Sequence, residues 1–168
     1  MSASITSADL VGRPELGKGL VPDRIPIEQC IHRGAISRQN PGLDSAFAKE
    51  RGHPTMPINL PSPLNAFIFG ILEPGGRANM HRHTYESVIV ILEGSGYSLI
   101  EGERLDWQAG DAIYTPRWAW HSHINTGETE VRYLSVTNMP MLANLGLMVR
   151  EEPLAGSATQ QTQNGAPI

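Results

Sequence analysis

The chain has a single cysteine, Cys30, so no disulfide can form within it. Lysine is almost as scarce, with only Lys18 and Lys49. With a formal net charge of −4, the broad basic surface that a nucleic-acid backbone requires is missing. Long apolar runs are absent too. The longest, Val88 to Leu92, falls far short of the ~20 residues of a membrane-spanning helix. The opening residues MSASITSADLVGRPELGKG lack the positively charged start and apolar stretch of a secretory signal. The expectation is a cytoplasmic protein with no membrane or nucleic-acid partner. There is also no phosphate-cradling glycine loop with a lysine, no G-x-S-x-G elbow, no cysteine-rich zinc framework and no solenoid repeat.

Aromatic residues make up only 6% of the 168 positions, but an apolar fraction of 40% can still fill one core. The 17 glycines and 13 prolines favour many short strands over long helices. Residues 1–63 read as an irregular arm, interrupted by prolines from Pro22 to Pro63 and packed on a barrel or a partner subunit. One short helix is predicted there, from Leu43 to Glu50, capped by Asp44 and followed by Gly52. Cys30 is expected to be a small buried or half-buried residue.

From Leu64 the texture changes. Strands are predicted at Asn65–Leu72, within Ala78–Ile91, and at Tyr97–Ile100, Arg104–Trp107, Ala112–Thr115, Trp118–Asn125 and Glu130–Thr137. Turns every eight to twelve residues point to an antiparallel sandwich or barrel over 64–138. Residues 139–168 form a C-terminal extension. Its first part, to Met148, is expected as a short helix or coil, and its end, PLAGSATQQTQNGAPI, as disordered.

Four of the six histidines fall in two pairs of identical spacing, His81-Arg82-His83 and His121-Ser122-His123; His32 and His53 lie in the arm. On a strand, residues i and i+2 point to one face, so each pair offers two imidazoles together. Two neighbouring strands carrying such pairs can converge on one ion, and imidazole nitrogen suits iron, zinc, copper and nickel. Buried polar groups also need partners, a demand that a metal meets directly.

These two stretches resemble the paired motifs of the cupin superfamily. The first runs from Gly75 over five residues to His81-x-His83, then an acidic residue and Gly94. The second runs from Gly110 over five residues to Pro116, then His121 and Asn125. The resemblance covers about residues 64–138 and implies an all-β cupin jelly-roll barrel with a metal inside. Within that superfamily, His81-Arg82-His83-Thr84 and Pro116-Arg117-Trp118-Ala119-Trp120-His121-Ser122-His123 are similar to the gentisate dioxygenase group. Many cupins carry glycine where Trp118 stands. The group's three-histidine Fe(II) site implies His81, His83 and His121 as ligands, with His123 close to substrate.

The chain departs from that pattern in three places. Many cupins have a glutamate ligand four or five residues after the second histidine. Glu86 follows His83 by three, an odd step that turns it away from the histidine face of a regular strand, and Ser87 takes the aligned place. Glu86 is therefore a fourth ligand only if a bulge swings it inward. In the gentisate group an arginine six residues after the second histidine helps to hold the substrate's carboxylate; Ile89 stands there. An upstream glutamine of the group falls at about Gly70. Both losses argue against gentisate itself. By strand parity Arg77 and Arg117 are the substitute cations for substrate, while Arg82 faces outward. Tyr85, Ser87, Ile89 and Ile91 continue the histidine face, which offers Tyr85 as a hydrogen-bond donor in the pocket or as core. Trp118 and Trp120 are expected to pack between barrel and arm or partner.

The leading expectation is a mononuclear metal dioxygenase, with Fe(II) as cofactor and a small hydroxylated aromatic substrate plus dioxygen as partners. His123 would exchange a proton with substrate. The alternatives are a non-oxidative isomerase, lyase or hydrolase using Zn, Ni or Mn, and a non-catalytic cupin that binds a small ligand. A homodimer is expected because the proline-rich arm carries Ile25, Ile27, Ile31 and Ile36, which need a surface to cover.

Overall fold

The computed structural model describes residues 25–154. The first part of the arm, residues 1–24, and most of the tail expected to be disordered, residues 155–168, lie outside the described residues. Ten strands follow in order: β1 (Thr55–Ile58), β2 (Ala66–Leu72), β3 (Arg82–His83), β4 (Ser87–Glu93), β5 (Ser95–Ile100), β6 (Glu103–Gln108), β7 (Ala112–Thr115), β8 (His121–Asn125), β9 (Val131–Thr137) and β10 (Arg150–Glu151). Helix α1 (Ala46–Arg51) precedes β1, and α2 (Met139–Asn144) lies between β9 and β10. No helix among the described residues is long and apolar enough to cross a membrane.

The strands form a five-stranded sheet, β1-β2-β9-β4-β7, and a three-stranded sheet, β6-β5-β8, with antiparallel neighbours throughout. Alternation sets which way each strand faces. In β9, Val131, Tyr133, Ser135 and Thr137 are buried and the residues between them are not; in β4, Ser87, Ile89 and Ile91 turn inward. Leu72, Ile89, Ile113 and Val131 of the large sheet meet Trp107 of the small one. Each such aliphatic side chain contributes about 1.5–3 kcal/mol on burial. This two-sheet, all-β jelly roll is the fold expected. Asn125 locks its end, donating through Nδ2 to the carbonyls of Leu72 (2.9 Å), Glu73 (3.1 Å) and Thr129 (2.8 Å).

The described part of the arm covers the outer face of the large sheet. Leu43 and Met56 pack on Phe69 and Ile71 of β2, and β1 pairs with β2 as an edge strand. The predicted helix is split. Pro41–Asp44 form a 3-10 turn, so the α-helix starts later and Ser45, not Asp44, caps it by accepting from Ala48 N–H at 3.4 Å. Gly52 ends α1 at φ 77°. Cys30 is exposed rather than buried.

Three differences from the sequence reading matter for the site. First, the run from Ala78 is not one strand. Arg77 bridges to Ile124 and His81 to His121, so one side advances four residues while the other advances three. The extra residue is a bulge that flips the facing between Arg77 and His81. Second, β8 begins at His121, because Trp118 sits at φ 62° and breaks the strand predicted from that residue. Third, α2 ends at Asn144 and the chain returns as β10, pairing with β3 so that Arg150 lies opposite His83.

Candidate metal centre

His81 and His121 exchange backbone hydrogen bonds, His81 N–H to His121 O at 3.0 Å and the reverse at 2.9 Å. Their side chains therefore stand directly opposite on one face. His83, two residues on, joins them. One ring nitrogen from each of the three histidines lies within 4.8 Å of the others. The ring centroids are 4.2 Å (His81 to His121), 4.7 Å (His83 to His121) and 5.5 Å (His81 to His83) apart.

The outer nitrogens explain the aim of the rings. His81 Nδ1 lies 2.7 Å from Asn79 O, His83 Nδ1 2.7 Å from Tyr85 O, and His121 Nδ1 2.8 Å from Ala119 O. A carbonyl only accepts, so each Nδ1 carries the proton and each Nε2 keeps its lone pair. Burial holds all three imidazoles below the usual histidine range, with His81 and His121 well below that range and His83 at about 4. Three neutral, pre-aimed lone pairs with no partner among the described residues form a donor set that fits a metal ion of the kind imidazole binds.

His123, on the same face of β8, stays out of this triangle. Its Nδ1 meets Ser98 Oγ at 2.8 Å, and Ser98 accepts from Trp107 Nε1 at 2.9 Å. This fixes the ring against the cavity wall, and desolvation lowers its pKa to about 3. Tyr85 lies flat on His83, with centroids 3.8 Å apart and planes 6° from parallel, and also lines the cavity. Ser87 faces inward and shares a 2.9 Å hydrogen bond with Ser135, while Ile89 gives an apolar wall.

The structure does not bring Glu86 to the histidines. Its carboxylate is exposed and accepts from Tyr114 OH at 3.3 Å; the chain bends at Thr84 and Tyr85 between β3 and β4, yet His83, Tyr85 and Ser87 stay buried and Glu86 stays out. Arg77 and Arg117 do not reach the cavity either. The bulge before His81 puts Arg77 on the outer face with Ile124, and Arg117 sits in the exposed turn before β8, where strand parity has no meaning. Arg82 contacts both Trp118 and Trp120, its guanidinium carbon lying 4.4 and 4.5 Å from their ring centroids.

Three basic wall residues escaped the sequence reading: Arg51 at the end of α1, His53 just after it, and Arg150 on β10. His53 Nδ1 meets Arg51 O at 3.0 Å and its Nε2 meets Tyr133 OH at 2.6 Å. A wider hollow of about 420 Å³ opens on the arm, but it touches the metal-side cavity only through His53 and holds none of the three histidines. Size alone does not mark the site.

Comparison with known proteins agrees with this geometry. Residues 68–137 match the family described as cupin domain. The chain is 32% identical over 95 residues to a 5-aminosalicylate 1,2-dioxygenase of Comamonas sp, covering 56% of this chain and 25% of that protein. It is 40% identical over 73 residues to a gentisate 1,2-dioxygenase of Ralstonia sp, covering 43% and 21%. A solved salicylate 1,2-dioxygenase from Pseudaminobacter salicylatoxidans shares the fold, with TM-score 0.58 and 21% identity over 64% of this chain and 34% of that one. The chain spans about a quarter of the length of these curated relatives.

Proposed function

We propose that this chain, whose residues 68–137 match the cupin-domain family, is a mononuclear metal dioxygenase with ferrous iron as its metal and a small hydroxylated aromatic compound as its substrate. The observation that carries this reading is the trio of converging Nε2 lone pairs on His81, His83 and His121, each aimed by an Nδ1 hydrogen bond. The naming of its relatives as 1,2-dioxygenases of aminosalicylate and gentisate supports the choice of reaction. Iron held by these residues would supply the one-electron chemistry that dioxygen requires.

The chain's own residues do the rest. His123, held by Ser98, offers its free nitrogen to a substrate hydroxyl. Tyr85 fixes the His83 ring and presents its hydroxyl to the cavity. Ile89 and Ile68 give the ring an apolar wall. The cavity measures about 70 Å³, whereas benzene fills a dry cavity of ~150 Å³, so an aromatic ring enters by displacing wall side chains.

The same proposal divides the chain into arm (1–63), barrel (64–138) and extension (139–168), with arm and extension each completing the cavity wall. It takes the protein as a homodimer, which would cover Ile25, Ile27, Ile31 and Ile36, all exposed in one chain. It places the protein in the cytoplasm, where the exposed thiol of Cys30 stays reduced.

The test is anaerobic loading with Fe(II), Zn(II), Ni(II) or Mn(II), followed by oxygen uptake with gentisate, salicylate, 5-aminosalicylate and 1-hydroxy-2-naphthoate. Oxygen consumption with at least one of them, only in the iron form, is expected. Iron-loaded protein that consumes no oxygen with any of these overturns the reading. Light scattering at micromolar concentration tests the dimer.

A further inference from the structure

The protein is acidic, with a formal net charge of −4, yet its metal-side cavity has the opposite character. Arg51 and Arg150 line it and, among the described residues, no carboxylate does. The two guanidiniums are not equivalent. Arg51 is tethered: its Nη1 donates to Phe47 O at 3.2 Å and its guanidinium carbon lies 3.4 Å from the centroid of the Phe47 ring. Arg150 is held from one side only. Its Nη1 pairs with Glu152 at 2.6 Å and with Glu50 at 3.6 Å, from carboxylates that reach toward solvent. Its Nη2 is buried and has no hydrogen-bond partner among the described residues.

A buried donor left unpaired is costly to keep. Register explains why it is there. Arg150 on β10 is the residue opposite His83 on β3, so its side chain rises from the same face as the candidate ligand. Thr84 staples the segment in place, donating to Leu147 O at 2.7 Å and accepting from Val149 N–H at 2.9 Å. Arg150 thus shares the cavity lining with the three imidazoles. It lies outside the residues 68–137 that match the cupin description.

We infer that Arg150 receives the carboxylate of the substrate through Nη2, so that the site selects aromatic carboxylates over neutral phenols of the same shape. This rests on the reading of the cavity as one for a small hydroxylated aromatic. Arginine is suited to the task because its planar fork matches a carboxylate with charge-assisted hydrogen bonds. Arg51 supplies a second positive charge from the opposite side of Glu50, with which it pairs at 3.4 Å. Arg150 is the residue that sets preference.

The experiment is calorimetric titration of wild type, Arg150→Met and Arg150→Lys, each carrying the same metal load, with salicylate and with its neutral isostere salicylamide. Wild type is expected to bind salicylate at least tenfold more tightly than salicylamide. Arg150→Met loses that preference while salicylamide binding is unchanged. Arg150→Lys keeps part of it, since the charge remains without the fork. Wild type without the preference, or either variant with it undiminished, overturns the inference; the lysine variant preserves the test if the methionine variant does not fold. Oxygen uptake on the same preparations separates the two readings. Anion preference with no oxygen uptake overturns the dioxygenase and leaves the carboxylate site. Oxygen uptake with no anion preference does the reverse.

Discussion

Gly70 of β2 lies directly across from Tyr133 of β9, and a side chain at Gly70 would occupy the space of the tyrosine ring, overlapping its Cζ and hydroxyl oxygen. The Tyr133 hydroxyl, held 2.6 Å from His53 Nε2, fills that part of the cavity wall. The glutamine that the gentisate group carries at about this position cannot be accommodated beside it. Gly70→Ala is expected to destabilise the protein by about 1–3 kcal/mol, the usual cost of overpacking. Tyr133→Ala in the same chain should return part of that loss. Urea unfolding of both single variants and the double variant measures the coupling; additive effects would mean the two residues do not compete for space.

His81→Ala, His83→Ala and His121→Ala are each expected to lose most bound metal, since each removes one of three converging donors. His123→Ala should keep the metal and lose most turnover, because its Nδ1 is spent on Ser98 and it lies outside the triangle. Metal content by mass spectrometry decides this. If His123→Ala loses metal as fully as His121→Ala does, the ligand set is different.

Glu86→Gln is expected to retain metal at the wild-type ratio and reduce turnover less than threefold. Its carboxylate is exposed and serves Tyr114 OH. Metal loss as severe as that of His83→Ala would bring the carboxylate into the ligand set.

The pH dependence of stability should carry the mark of His53. Desolvation lowers its folded pKa to about 4, against ~6.5 in an unfolded chain. Above the higher value both states are neutral and the contribution is complete. As the pH falls from ~6.5 toward 4, the unfolded chain takes up a proton that the folded one refuses, so stability falls. The ring keeps some surface, so the loss from this group is at most about 3 kcal/mol. The other buried histidines act in the same direction. The urea midpoint of metal-free His53→Gln should therefore fall less steeply between pH 7 and pH 4.5 than that of wild type. Equal slopes would contradict a neutral, desolvated His53.

The barrel and the three histidines were legible because both rest on period-two alternation. The same arithmetic turned Glu86 outward. Arg77 was misplaced because one extra residue before His81 inverts parity, and nothing in Ala78-Asn79-Met80 announces a bulge. Trp118 hid a break in β8. It occupies a left-handed conformation, φ 62°, where many cupins use glycine, and its contact with Arg82 offsets part of the strain. Arg51, His53 and Arg150 were beyond reach for another reason. They come from a six-residue helix, the loop after it and a two-residue strand, all too short to show a period. Only tertiary pairing brings them to the wall.

Each of the three imidazoles is steered by a carbonyl two positions away along its own segment, at Asn79, Tyr85 and Ala119. The grip on the ion is thereby written into three short stretches of main chain and borrows nothing from the opposite wall. Tyr133, Ile89 and Arg150 are then free to diverge without loosening that grip. A lineage that exchanged them would trade one substrate for another while inheriting the same ion holder intact.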